Sequence, residues 1–396
     1  MKRIRQPRWA FLAAPASLYA RRDSARADGS PGVGGRWNRV PPPAVARVVE
    51  RARQWLSRLH MHSAPPYAVM MELIVNSWTS QAITAAVQLG VADALADGPL
   101  RIDELADRVN ADPDALGRLL RALIGRGIFR RRRDGRYALN SLARTLRSDA
   151  PLSAAGMARL VGSRQHRELW SHLAEAIRTG GSMTVAVHGT DPFDLLRQEP
   201  ELADAFHQAM ADTTEMVVAP ITAAYAFDAH STVVDVGGGV GRLLGAILGA
   251  APNAQGVLYD LPEVVADAPR VLQRHHVAER VRVEPGSFFD AVPKGGDIYV
   301  LKQVIHDWPD DKALEILRNV RAAAATGATI LLIELVIPDG NREHLGHWSD
   351  LEMLLTQAGR DRTEPQYRRL LAAAGFQVTR VVPTASPLSL VEARAV

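Results

Sequence analysis

Three side chains have the types needed to move a proton together: His306, Glu334 and Asp361. An imidazole with an unperturbed pKa of about 6.5 can accept a proton from a hydroxyl at neutral pH. A phenol titrates near 10, so it is mostly protonated there and needs such a base. One carboxylate can fix the tautomer of the ring, and the other can position the ring or the acceptor. A second group reads as a binding device. Asp235-x-Gly237-x-Gly239-x-Gly241 follows a β-branched run, and Asp260 ends the next apolar run. Glycines there let the backbone approach a nucleotide-like ligand, and the acid can accept from both hydroxyls of a ribose. Asp260 alone does not choose between cofactors. The glycine spacing is not that of a dinucleotide fingerprint, which wants a small residue where Arg242 stands.

These residues need a scaffold, and the sequence predicts one. Thr232, Val233, Val234 and Val236 predict a strand buried on both faces. Leu243, Leu244, Ile247 and Leu248 predict the helix that follows the glycines. From residue 231 strands and helices alternate, which predicts an α/β domain with a largely parallel sheet. Further strands are expected at 256–260, 281–283, 297–305 and 329–337, with an antiparallel pair at 376–382 and 387–393. Ligands of such sheets bind beyond the carboxyl ends of the strands. That edge collects His306 after the fourth strand, Glu334 late in the fifth, and Asp361 in the loop GRDRTEPQY. Pro309 suits a first helical position, and Asp310 and Asp311 suit the positive start of a helix. His306 is left at the mouth without such a structural reason.

Upstream, residues 70–89 carry apolar side chains at helical spacing, Trp78 among them. A second helix starts at Ile102. Asp112 and Pro113 set an N-cap and first position for a third, with Leu116, Leu119, Leu120 and Leu123 on one face. Residues 128–139 predict a hairpin turning at Asp134-Gly135, with Arg130 to Arg133 on it. Helix, turn, helix, hairpin is a winged-helix pattern, so a DNA-binding regulator is a rival reading. Charge argues against it. Residues 1–60 hold 13 Lys and Arg against 3 Asp and Glu, so the remaining chain is acidic by 6 charges despite the overall +4. An acidic body is a poor general nucleic-acid binder. The expected division is a disordered basic extension over 1–60, a winged-helix domain over 61–150, a helical linker and pocket region over 151–230, and the α/β domain over 231–396. In the third segment Phe193, Leu195, Leu196, Phe206, Met216, Val217 and Val218 supply apolar faces, and His207 and Met210 lie about one turn apart. The first 20 residues pair a basic start with a short apolar patch, but Pro15 interrupts it, which favours an extension over a secretory signal. Initiation at Met61 would remove it. The chain has no cysteine and no apolar run long enough to cross a membrane, consistent with a cytoplasmic enzyme.

The segments NSWTSQAITAAVQLGVADAL, VVDVGGGVG, LYDLPEVV, GSFFDAVP, YVLKQVIHDWPDD, LLIELVIPDG and GRDRTEPQYRRLLAAAGF occur in the order of one family. From about residue 70 onward the chain resembles the S-adenosylmethionine (SAM)-dependent small-molecule O-methyltransferases, both plant caffeate-type and bacterial polyketide-tailoring. The resemblance implies a Rossmann-like SAM-binding domain preceded by a helical winged-helix dimerisation domain, and a homodimer. It implies His306 as general base with Glu334 and Asp361 as its acidic partners. It places cofactor contacts on Gly237, Gly238, Gly239, Asp260, Leu261, Ser287, Phe288 and Lys302, and acceptor contacts on Trp78, His207, Met210 and Met353. The implied reaction methylates an aromatic hydroxyl of a specialised metabolite, with no metal, nucleic acid or membrane involved. N-methylation, or SAM-assisted hydroxylation or decarboxylation, on the same fold is the alternative. One departure stands out: the family usually has Asp where this chain has Ser287, which loses charge assistance at the adenine end.

Overall fold

The computed structural model describes residues 40–340 and 342–396. They form two compact units, one of residues 50–168 and 200–215, the other of residues 169–199 and 216–396 with those before Glu50.

The first unit is mainly helical. Helix α1 (Pro43–Met61), which belongs to this unit from Glu50 onward, and α2 (Pro66–Gln88) both begin on proline, whose missing N–H costs nothing where a helix start has no partner for it. Residues 43–61 were expected to lie mostly in a disordered extension, so α1 is a correction. After Pro43 the run contains neither glycine nor proline and keeps apolar residues three and four apart, which is enough for helix. Residues 1–39 of that expected extension lie outside the described residues. Helices α3 (Ile102–Val109) and α4 (Pro113–Gly125) follow. Asp112 caps α4, its carboxylate accepting from Ala115 N at 2.8 Å. Leu116, Leu120 and Leu123 are buried and Leu119 packs at their margin. Each fully buried leucine contributes about 1.5–3 kcal/mol. The hairpin of β1 (Arg130–Arg131) and β2 (Tyr137–Ala138) turns through Gly135 in the left-handed region, φ 80°. Its arginines are exposed. Helix α5 (Ala155–Gly162) follows, and α6 (Pro200–Ala224) leads out of this unit into the second. Gly156 lies against α6 and donates its N–H to Asp212 Oδ2 at 3.3 Å.

The second unit holds a seven-stranded sheet. Its strands are β3 (Thr232–Val236), β4 (Gln255–Asp260), β5 (Val281–Pro285), β6 (Ile298–Lys302) and β7 (Thr329–Glu334), joined by β10 (Phe376–Pro383) and β11 (Ser389–Ala395). The order is β10-β11-β7-β6-β3-β4-β5. The run from β7 to β5 is parallel, and β11 pairs antiparallel with both β7 and β10. All six residues of β7 are buried, as a strand covered on both faces requires. Helices α7 (Arg242–Ala250), α8 (Asp310–Ala323), α9 (Leu345–Gln357) and α10 (Glu364–Ala373) belong to the same unit. Strand order reverses between β3 and β6, and a crevice opens at the carboxyl ends of strands at such a reversal.

Two strands end earlier than expected. β6 stops at Lys302, because Gln303 takes a left-handed backbone, φ 52°, and the chain then makes a short 3-10 turn over Ile305–Asp307. β7 stops at Glu334. The residues just beyond it, β8 (Val336–Ile337), pair instead with β9 (Arg362–Thr363) in a separate ladder. Both breaks lie at the sheet edge that carries the candidate chemistry.

Candidate active site

The glycine turn after β3 is built by close approach. Gly237, at φ 69°, has no room for a Cβ, which would stand 2.9 Å from Val304 Cγ2. On Gly238 it would stand 2.6 Å from the Asp235 carboxyl group. Gly237 N donates to Tyr259 O at 2.8 Å, which ties the turn to β4. The next residue of β4, Asp260, accepts from Gly239 N at 2.8 Å and from Leu261 N at 2.7 Å. Burial pushes its pKa up to about 6, with those two amides working against the rise. Hydroxyl donors to this carboxylate favour its charged form. Affinity for a diol-bearing cofactor is therefore expected to fall as pH drops below about 6 and to level off above it; titration calorimetry from pH 5 to 8 measures this.

Ser287 follows β5, and its Oγ accepts from Phe289 N at 3.2 Å, holding a turn. Phe288 is buried and packs edge-on against Phe289 and Trp308, with centroids 5.0 and 6.2 Å away. Lys302 ends β6 and donates to Gln303 Oε1 at 3.1 Å. Burial holds its ammonium below the usual range, opposed by Glu334, Asp235 and Asp307.

The structure brings His306, Glu334 and Asp361 together. All three are buried, and their ligand-type atoms lie within 4.8 Å of one another. His306 Nδ1 is 3.3 Å from Asp361 Oδ1. Glu334 Oε1 accepts from the backbone N–H of Ile305 at 3.0 Å and of Val304 at 3.3 Å, which fixes the turn that carries the histidine. Glu334 Oε2 and Asp361 Oδ2 have no hydrogen-bond partner among the described residues. Burial pushes Glu334 up to about 7, opposed by His306. Burial pushes His306 down, but Asp307, Glu334 and Asp361 outweigh it and bring the ring to about 9.

Asp307 is a participant that sequence reasoning does not single out. Its place in an acidic run suits a helix start, yet its Oδ1 lies 3.4 Å from His306 Nε2 and it is the first of the charges that raise that ring. Asp310 carries the helix-start role, as the first residue of α8. Arg362 is missed altogether. Its side chain is 1% exposed. It donates to Ile305 O at 3.0 Å, Trp308 O at 2.9 Å, Arg360 O at 3.1 Å and Asp310 Oδ1 at 2.7 Å. Arg360 N donates to His306 O at 2.8 Å. Gly359 fits under the same turn, where a Cβ would stand 2.3 Å from His306 O. The signal was present as Gly and Arg flanking Asp361 in GRDRT. Of the expected acceptor residues, Met353 is half-buried on α9 in this unit, whereas Trp78, His207 and Met210 belong to the helical unit. Trp78 is 73% exposed and Met210 39%.

Residues 170–377 match the O-methyltransferase domain and residues 71–149 the O-methyltransferase dimerisation domain. The chain belongs to the O-methyltransferase family. It is 38% identical over 332 residues to phenazine O-methyltransferase PhzM of Lysobacter antibioticus, spanning 84% of this chain and 97% of that one. It is 39% identical over 331 residues to O-demethylpuromycin-O-methyltransferase of Streptomyces alboniger, spanning 82% and 88%. The crystal structure of NcsB1, an O-methyltransferase of neocarzinostatin biosynthesis in complex with SAM and 2-hydroxy-5-methyl naphthoic acid, matches with TM-score 0.69 and 35% identity, over 80% of this chain and 96% of that one. This O-methyltransferase uses SAM. The site fits that cofactor: a glycine turn with no space for side chains at its first two positions, and a buried acid at the end of the adjacent strand.

Proposed function

We propose that the enzyme methylates an aromatic hydroxyl of a specialised metabolite, of polyketide type, with His306 as general base and as a homodimer. The observation that carries this is the buried imidazole held between carboxyl groups at the reversal point of the sheet. When bound, SAM supplies an electrophilic methyl group on a sulfonium that leaves as a neutral thioether. Gly237, Gly238, Gly239, Asp260, Leu261, Ser287, Phe288 and Lys302 are the residues we assign to holding it. Asp361 orients the ring through Nδ1, and Nε2, which faces Asp307 Oδ1 at 3.4 Å, is the nitrogen we assign to the acceptor hydroxyl. Glu334 holds the turn and supports the charge of the imidazolium that forms. With the acceptor hydroxyl deprotonated by His306, in-line transfer from bound SAM would require positioning and a base but no metal. Trp78, His207, Met210 and Met353 are proposed as acceptor contacts, in keeping with NcsB1 binding a hydroxynaphthoate.

The pH dependence follows from His306. Only the neutral ring accepts a proton, and in the free protein it is neutral above about 9. With an acceptor that does not itself titrate in the range, kcat/KM is expected to rise tenfold per pH unit towards about 9 and then level off. A flat profile from pH 6 to 10 would count against His306 as the base. Ser287→Asp is expected to tighten SAM several-fold, since a carboxylate can take over the turn hydrogen bond and add charge; unchanged calorimetric affinity would contradict that. The substrate class is tested with labelled SAM and a panel of aromatic polyketides, the methylated atom being located by mass spectrometry. A methyl group found on nitrogen would correct the reading.

A further inference from the structure

Helix α1 carries Val45, Val48, Val49, Trp55, Leu56 and Leu59, all exposed. At about 100° per residue they share one arc about 120° wide. Ala52 lies within it, and Arg47, Glu50, Arg51, Arg53 and Arg58 lie outside it. No residue of α1 is buried. A helix this apolar on one side needs a cover, and among the described residues none buries the stripe.

The next helix presents a similar surface. On α2, Tyr67, Met70, Met71, Ile74 and Trp78 are exposed and share one face. The opposite side of α2 is tied to its own unit: Arg126 donates to Glu72 Oε1 at 3.1 Å and to Asn76 Oδ1 at 3.0 Å. The end of α1 is joined to α2 through His60 and Glu72, 3.3 Å apart. The family's dimerisation domain starts at residue 71. Helix α1 lies wholly before it.

We propose that α1 is an added dimerisation arm, its apolar stripe packing against a second copy of this chain and continuing the surface that α2 presents. This rests on the homodimer reading above. The spacing fits a helix partner, and continuity with the dimerisation domain selects that over a lipid surface. Positions 45, 48, 49, 52, 55, 56 and 59 follow the three-four repeat of a helix-packing seam, and Ala52 at its centre permits close approach. Continuity with the dimerisation domain selects a second copy over an unrelated helix.

The test compares the full chain with a Val48→Asp, Trp55→Asp, Leu59→Asp variant by analytical ultracentrifugation over a range of concentrations. Because none of the three side chains is buried, the variant is expected to keep its fold, which unchanged SAM affinity and thermal midpoint verify. The expected result is a dimer dissociation constant raised on the order of tenfold or more. An unchanged constant would overturn the arm and leave the homodimer standing. A parent chain that stays monomeric throughout would overturn both. Sedimentation with phosphatidylglycerol–phosphatidylcholine vesicles covers the remaining occupant. Vesicle binding abolished by the three substitutions, with self-association unaltered, would assign the stripe to a lipid surface and overturn the proposal.

Discussion

Replacing His306 with alanine is expected to lower kcat by about 10²–10⁴-fold, the usual contribution of a positioned base. The cofactor side should be spared. The turn of Gly237 to Gly241 is held by Tyr259 and Asp260, and none of the hydrogen bonds described there involves the imidazole. SAM affinity by calorimetry is therefore expected to stay at the parent value while single-turnover methylation collapses. The acceptor should matter as well. A hydroxyl acidic enough to be ionised at the assay pH needs no base, so its loss should be much smaller than that of an ordinary phenol. Parent-like turnover of an ordinary phenol by the His306→Ala enzyme would remove the histidine from the mechanism.

Gly359→Ala is expected to be nearly as damaging, although the residue bears no chemistry. Its backbone is not in the left-handed region, so the argument is one of space alone. A Cβ there would stand 2.3 Å from His306 O and 2.6 Å from the Asp307 carbonyl carbon, and both neighbours are backbone. Relief requires the loop to draw back by about 1 Å to reach ordinary contact. That movement strains the Arg360 N–H bond to His306 O and carries Asp361 away from Nδ1. A displacement of that size in a catalytic group costs about 10²-fold in rate. Stability should fall by about 1–3 kcal/mol, as for other overpacked sites. Gly249→Ala is the control, because that position on α7 meets nothing within 4 Å. It should leave kcat unchanged and raise stability slightly. Equal kcat in the two variants would show that the loop does not position the base.

The scaffold of this site was readable where side-chain patterns are strong. The β-branched run of β3, the apolar β7 and the Asp112-Pro113 helix start all carry local signals that the structure repeats. The breaks at the mouth were not readable, since apolar residues continue past both strand ends. Ile305 looks like strand, but Gln303 has already turned the chain, and a left-handed glutamine leaves no pattern in one sequence. Asp307 merges with the helix start because three acids stand together and only distance separates their roles. Arg362 stands in the GRDRT segment, but its role there was not readable for a related reason: most of its partners are carbonyl oxygens, which every residue possesses. The acceptor residues rested on resemblance throughout, because packing between distant helices has no local signature. Helix α1 was under-read because basic composition outweighed a periodicity that was already present.

The arginine buried beneath the catalytic turn has a consequence for substitution at its partners. It grips main chain at Ile305, Trp308 and Arg360, so the identities of those side chains are irrelevant to its hold. A change of side chain at any of the three therefore leaves the grip itself in place, and what such a change costs is the packing of Ile305 and Trp308 in the core, not the alignment that the arginine imposes on the turn of His306.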